Sequence, residues 1–328
     1  MTLPLDPHLK IGIQTIHRRT EPATTRWLPT IDELAALVGL VDGCGYDSLW
    51  VGDHLAFAVS ILDPLLQLAQ AAVISRRLTL GTNVYLLPLR HPGPVAKQVA
   101  TLDHLSEGRL IFGVGVGGEF PQEFAVAGVP LDERGARLSA AILLLRELWS
   151  GEPVSYGGKY FGVFKDVAMQ PPARQPGGPP IWCGGRADAA LARAGRLADG
   201  WISYVVTPDT YRAALQKISE AAGVAGRKLD RFGTGHLLFV RLDDTYDAAL
   251  DSAATSLSQR YAMDFRRAAE RYAALGNAEQ VAARIRDFWD AGARHLVIDL
   301  VGPYEERPRQ IEEFARKVLP LLADLRGG

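Results

Sequence analysis

The chain has 328 residues, with 36 Lys and Arg against 37 Asp and Glu, a formal net charge of −1 and 48% hydrophobic residues. That length and apolar content allow a large core without disulfides or metals. The charge balance excludes the basic footprint of a nucleic-acid or anionic-membrane partner. The start MTLPLDPHLK lacks a signal-peptide pattern, no apolar run is long enough to span a bilayer, and Cys44 and Cys183 stand far apart without metal or disulfide spacing. A cytoplasmic protein without a metal is expected.

In chain order, strand-like runs fall at 9–15, 48–52, 78–85, 110–116, 180–183, 200–204, 235–242 and 295–301. Many are apolar on both faces, as parallel strands covered by helices must be. Helical spacing alternates with them at 30–43, 63–75, 94–105, 134–149, 188–197, 208–222, 245–261 and 278–291, and 309–325 closes the chain. Eight such pairs predict one (β/α)8 TIM barrel domain over residues 1–328. Three segments depart from a minimal barrel. They are the polar loop 17–28, the charged helix-like stretch 260–276, and a Gly/Pro-rich insertion at about 151–178. Within the insertion, VSYGGKYFG reads as a hairpin around Gly157 and Gly158. All three are expected to wall the pocket. Trp27, Tyr156, Tyr160, Phe161 and Phe164 point to an apolar or aromatic organic substrate, and Arg266, Arg267 and Arg271 to an anionic group.

Barrel active sites lie at the C-terminal strand ends. There the chain carries Thr15, Asp53 and His54, the 83–85 stretch, Gly117 to Glu119, Gly184 to Arg186, Tyr204, and Asp299 or Val301. A carboxylate beside an imidazole, as in Asp53–His54, can handle a proton; the same pair also fits a turn cap and a space-filling ring. GVGVGG lacks both Rossmann spacing and a P-loop lysine, so its glycines read as an open floor, and Glu119 after them is either a proton donor or a solvated charge. CGGRAD leads a strand into a helix whose first turn carries Arg186, which is an anion-site pattern. Arg90 and His91 read as setting the loop after strand three, His236 as a core histidine that can point into the barrel, and Cys183 as a small buried residue.

The segments LGTNVYLLPLRHP, AKQVATLDHLSEGR, GVGVGGEF, GYDSLWVGDHL, PPIWCGG and LADGW together resemble the bacterial luciferase-like oxidoreductases. Within these, the chain is most similar to the branch that uses the deazaflavin coenzyme F420. The resemblance implies hydride transfer between reduced F420 and a small organic substrate, with His54, Asp53 and Glu119 as catalytic residues. It further implies that Thr82, Asn83 and Val84 support the central ring through a cis Asn83–Val84 bond, that Gly117 and Gly118 line the mouth, and that Gly184, Gly185 and Arg186 take the phosphate-bearing tail. A reduced-FMN monooxygenase using O₂, fed by a separate flavin reductase, fits the same motifs, and a non-catalytic flavin-binding barrel is the third reading. The family commonly pairs as a homodimer through helices two and three, and the helix at 63–75, with Leu65, Leu66, Leu68, Ala69 and Ala72, is apolar on more than one face.

Overall fold

The computed structural model describes residues 2–14, 30–57 and 61–327. Its strands are β1 (Lys10–Gln14), β2 (Ser48–Val51), β3 (Thr79–Thr82), β4 (Leu110–Val114), β5 (Val154–Gly157), β6 (Val163–Val167), β7 (Ile181–Gly184), β8 (Gly200–Tyr204), β9 (Gly233–Leu242), β10 (Ala274–Gly276) and β11 (His295–Leu300). The order β9-β11-β1-β2-β3-β4-β7-β8, with β8 pairing back onto β9, closes a parallel barrel of eight strands. β10 adds a short ninth strand outside β9. Every residue of β2, β7 and β11 is buried, so these strands carry no solvent-exposed face.

The interior is filled by large side chains set against glycines. Trp50 and Trp182 pack with ring centroids 5.5 Å apart. A Cβ on Gly81 would sit 2.2 Å from Trp50, and one on Gly233 would sit 2.1 Å from Trp182. Below them Ser48 Oγ takes the Trp50 indole N–H at 2.8 Å and lies 2.7 Å from His295 Nε2. This layering leaves the C-terminal end of the barrel as the place where a ligand can enter.

The strand and helix pattern of the sequence is borne out, with informative differences. β9 begins at Gly233 because Gly233 and Thr234 pair with Gly200 and Trp201, although a glycine there reads as loop. The third helix starts at Pro92, where His91 caps it by accepting from Gly93 N at 3.1 Å. The final helix breaks after Lys317 into a 3₁₀ turn, where Pro320 cannot donate to a helical ladder. The 260–276 stretch is a helix, Arg266–Tyr272, followed by β10. Thr15 and the 17–28 loop with Trp27 lie outside the described residues.

The insertion forms the expected hairpin, β5 antiparallel to β6, but its turn spans 158–162 rather than a two-residue Gly157–Gly158 turn. It does not wall the strand ends. Gln175 donates to both oxygens of buried Asp103 at 2.8 and 2.7 Å, His104 Nε2 reaches Pro172 O at 2.9 Å, and His91 Nε2 reaches Phe161 O at 3.2 Å. The insertion therefore runs along helix Pro92–Leu105; Phe161 meets the His91 ring at 5.6 Å, Tyr160 and Phe161 lie near Arg137, and none of Tyr156, Tyr160, Phe161 and Phe164 lines the cavity.

His236 faces outward. It stacks on Phe288 at 4.1 Å, and its Nδ1 lies 2.8 Å from Ser203 Oγ. Burial lowers the basicity of His236 and of His295, each to about 3, with Arg284 and Lys10 respectively adding to the effect. In the unfolded chain both rings take up protons near pH ~6.5. Below that pH the unfolded state binds protons that the folded state refuses, so stability is full above it and lost as the pH falls toward about 3. Each ring should cost a few kcal/mol as the pH falls through this window. Urea midpoints should fall steadily across this window, and should fall less in His236→Leu. A midpoint unchanged from about pH 7 to about pH 4.5 would contradict this account.

Candidate active site

The strand ends surround a cavity of about 380 Å³ lined by the floor residues Val84, Gly115, Ile202 and Leu237, with His54, Glu119 and Arg186 at the wall. The floor is a bulge after β3, where the Asn83–Val84 peptide bond is cis. Its flanks are tied down: Asn83 N donates to Val51 O at 2.7 Å, and Tyr85 N to Gly113 O at 2.8 Å. Asn83 Nδ2 reaches Gln14 Oε1 at 3.2 Å. Val84 projects between two glycines whose Cβ atoms would lie 2.4 Å (Gly115) and 2.8 Å (Gly184) from its methyls. Thr82 is not part of the lining. It is fully buried, and its hydroxyl donates to Gly113 O at 2.7 Å, because β3 turns that side chain toward β4.

Asp53 and His54 follow β2 but do not act as a pair. Asp53 accepts Leu86 N–H at 2.8 Å and a forked contact from Arg90, with Nη2 to Oδ1 at 2.9 Å and Nη1 on Oδ2. The Arg90 guanidinium also lies 4.4 Å from the Tyr85 ring centre. Asp53 is thus an anchor for the β3 loop, since both carboxylate oxygens are engaged. His54 has a different carboxylate. Its Nδ1 lies 3.1 and 3.3 Å from the oxygens of Glu123, a residue in helix Pro121–Ala127 that is 1% exposed. Phe57 stacks flat on the imidazole at 4.1 Å and 8°, and Phe120 meets it edge-on at 5.7 Å.

Gly117, Gly118 and Glu119 also line the cavity. The two glycines adopt φ of 62° and 109°, a left-handed backbone that favours glycine. Glu119 Oε1 accepts the Tyr204 hydroxyl at 2.6 Å, and burial together with that carboxylate raises the Tyr204 phenol well above its ordinary range. Arg186 crosses the Tyr204 ring at 5.2 Å and donates to Val205 O at 3.1 Å. Val205 itself has φ +53°, an unusual backbone state for a β-branched residue. Gly185 is held from behind, where Trp201 Nε1 donates to its carbonyl at 2.7 Å. At the far edge Asp299 is paired with buried Arg260 at 2.6 Å.

The residues read from the sequence at 53–54, 83–84, 117–119 and 184–186 therefore meet around one cavity. Glu123 and Tyr204 add to them: Tyr204 was visible as a strand end, whereas Glu123 was not singled out. Arg266, Arg267 and Arg271 do not line the cavity. Cys183 is buried, and burial pushes its thiol up to about 12, which removes it as a nucleophile. Among the described residues no cluster of His, Cys, Asp or Glu can hold a metal ion, and no helix is long and apolar enough to cross a membrane.

A flat ring system fits this shape. The Val84 bulge gives it a backbone-supported floor, and the 184–187 turn gives an anionic tail an arginine and the start of helix Asp188–Leu197. Comparison with known proteins agrees. The family model for luciferase-like monooxygenases matches residues 9–305. An F420-dependent glucose-6-phosphate dehydrogenase of Nakamurella multipartita is 30% identical over 325 residues, covering 90% of this chain and 94% of that protein. A 4-hydroxyprotoasukamycin monooxygenase of Streptomyces nodosus subsp. asukaensis is 32% identical over 219 residues, covering 64% of this chain and 59% of its own length. Among solved structures, the monooxygenase RslO1 from Streptomyces bottropensis superposes with a TM-score of 0.82 at 26% identity, covering 95% of this chain and 99% of that one.

Proposed function

The chain belongs to the luciferase-like monooxygenase family, and from that premise we propose that it is an F420-dependent oxidoreductase that moves a hydride between the coenzyme and a small organic substrate. The observation that carries the reading is the cis Asn83–Val84 bulge beneath a cavity whose wall presents a carboxylate-held imidazole. The likeness to F420-dependent dehydrogenases over nine tenths of the chain supports the deazaflavin branch.

When bound, the deazaflavin supplies two-electron hydride chemistry without oxygen activation. The protein supplies binding, orientation and proton handling. Val84, with Asn83 behind it, supports the ring; Gly184, Gly185 and Arg186 hold the phosphate-bearing tail; Gly117 and Gly118 leave room for the substrate at the mouth. His54 exchanges a proton with the substrate at Nε2. Glu119, which accepts the Tyr204 hydroxyl, is the second proton-handling group. Asp53 acts through Arg90, by fixing the loop that follows the bulge.

The second reading is a reduced-FMN monooxygenase with a partner reductase, favoured by the likeness to monooxygenases of this fold. Cofactor choice separates the two: selective binding of F420 over reduced FMN is expected for the first and the reverse for the second.

A homodimer completes the proposal. Helix Pro64–Ile74 buries Leu65, Leu68 and Ala72 against its own barrel yet exposes Leu66 (74%) and Val73 (60%) seven residues apart on one face. Such a stripe suits an isologous contact. Sedimentation equilibrium at micromolar concentration should give twice the 35.6 kDa chain mass. A monomer mass would rule the dimer out.

A further inference from the structure

We infer that Glu123 is a positioning residue that fixes the tautomer of His54, so that the ring meets a hydroxyl-bearing substrate as a proton acceptor; the substrate part rests on the oxidoreductase reading above. Glu123 is 1% exposed and faces only donors. Its Oε1 accepts Leu55 N at 2.6 Å and Ala56 N at 3.1 Å, and its two oxygens lie 3.3 and 3.1 Å from His54 Nδ1. Backbone N–H groups can only donate, so the carboxyl is held as an acceptor, and the nitrogen facing it must carry a hydrogen. In the neutral ring the lone pair then resides on Nε2. That atom has no protein hydrogen-bond partner among the described residues, in a ring that lines the cavity. The Phe57 stack and the Phe120 edge, themselves 4.6 Å apart, hold the ring plane, so the lone pair keeps one direction.

The step this permits is balanced. The substrate O–H bond breaks and its proton bonds to Nε2. The electron pair left on oxygen would form the carbonyl as the carbinol carbon gives up its hydride, and a bound oxidised deazaflavin would accept that hydride, so that the substrate's two-electron oxidation is matched by the coenzyme's two-electron reduction. The imidazolium formed stands beside the Glu123 carboxylate, which offsets its charge.

Glu123→Gln tests this with little change of shape. Its amide oxygen can still take the Leu55 and Ala56 N–H groups, which turns the amide NH₂ toward Nδ1. Nδ1 must then accept, and the hydrogen moves to Nε2. The readout is the ¹⁵N spectrum of histidine-labelled, cofactor-free protein at about pH 9, above the ordinary histidine range. The His54 signals are assigned by their loss in His54→Gln from a set of seven histidines. Wild type should show a protonated Nδ1 and a bare Nε2, and Glu123→Gln the reverse. In turnover, Glu123→Gln should lower kcat for alcohol oxidation by about 10²–10⁴-fold with KM little changed. A wild-type ring protonated at Nε2, or the same tautomer in both proteins, overturns the inference. Should Glu123→Gln fail to fold, the wild-type spectrum alone decides. The spectrum needs no coenzyme, so a correct tautomer in a protein that does not bind F420 would refute the cofactor reading and leave the role of Glu123 standing.

Discussion

His54→Ala should lower kcat by about 10²–10⁴-fold, the usual contribution of a positioned acid or base, while F420 affinity changes little. The reason is the division of labour in the cavity. The floor at Val84 and the tail site at Gly184 to Arg186 belong to β3 and β7, whereas His54 follows β2 and is held by Glu123. Removing the ring therefore removes proton transfer without disturbing the floor. Steady-state kinetics paired with fluorescence titration of F420 checks both halves. If kcat with the true substrate were unchanged, His54 would be only a packing partner of Phe57 and Phe120, and the barrel would need another proton acceptor.

Arg90→Met should destabilise the fold by about 3 kcal/mol, because it leaves the Asp53 carboxylate buried with one backbone N–H for company. The Asp53 side chain is fully buried and that of Arg90 20% exposed, so water can only partly replace the lost guanidinium. Combining Arg90→Met with Asp53→Asn should recover part of the loss, since no charge is then stranded. Urea unfolding of the single and double variants measures this. An Arg90→Met protein as stable as wild type would mean that Asp53 is not an anchor, and would reopen a direct proton-handling role for it.

Much of this architecture is legible in the sequence. The alternation of mostly apolar strands with helices is a strong signal, because a parallel strand covered on both faces has no solvent-facing positions to blur it; β2, β7 and β11 are buried throughout. The strand-end rule then placed most of the cavity lining. The cis bond was another matter. Nothing in the residues Asn83 and Val84 announces it, and only the family resemblance pointed there. Thr82 was carried along by its neighbours: unbroken alternation would set Thr82 and Val84 on one face, but the bulge after β3 breaks that period, and Thr82 turns to Gly113 while Val84 enters the cavity.

Partners distant in sequence were the main loss. Asp53 and Arg90 lie 37 positions apart, and His54 and Glu123 lie 69 apart, so adjacency favoured the wrong pair, Asp53 with His54. Glu123 lies on a seven-residue helix too short for a periodic pattern. Its one signal was an acid followed by Phe124 just past the glycine loop, both of which turn out buried. The aromatic residues of the insertion misled for a related reason. Composition pointed to an aromatic wall for the substrate, whereas Phe161 is buried in the main core and Tyr156, Tyr160 and Phe164 are partly buried against it, away from the cavity.

Side-by-side fluorescence titration of the purified protein with F420 and FMN, each oxidised and reduced, decides which cofactor this cavity takes. Micromolar or tighter binding of F420 with clearly weaker FMN binding is the expected result, and Arg186→Ala should weaken it about tenfold or more by removing a charged phosphate contact. Selective binding of reduced FMN would contradict the deazaflavin assignment in favour of the monooxygenase, and binding of neither would contradict the tail site at Gly184 to Arg186 itself.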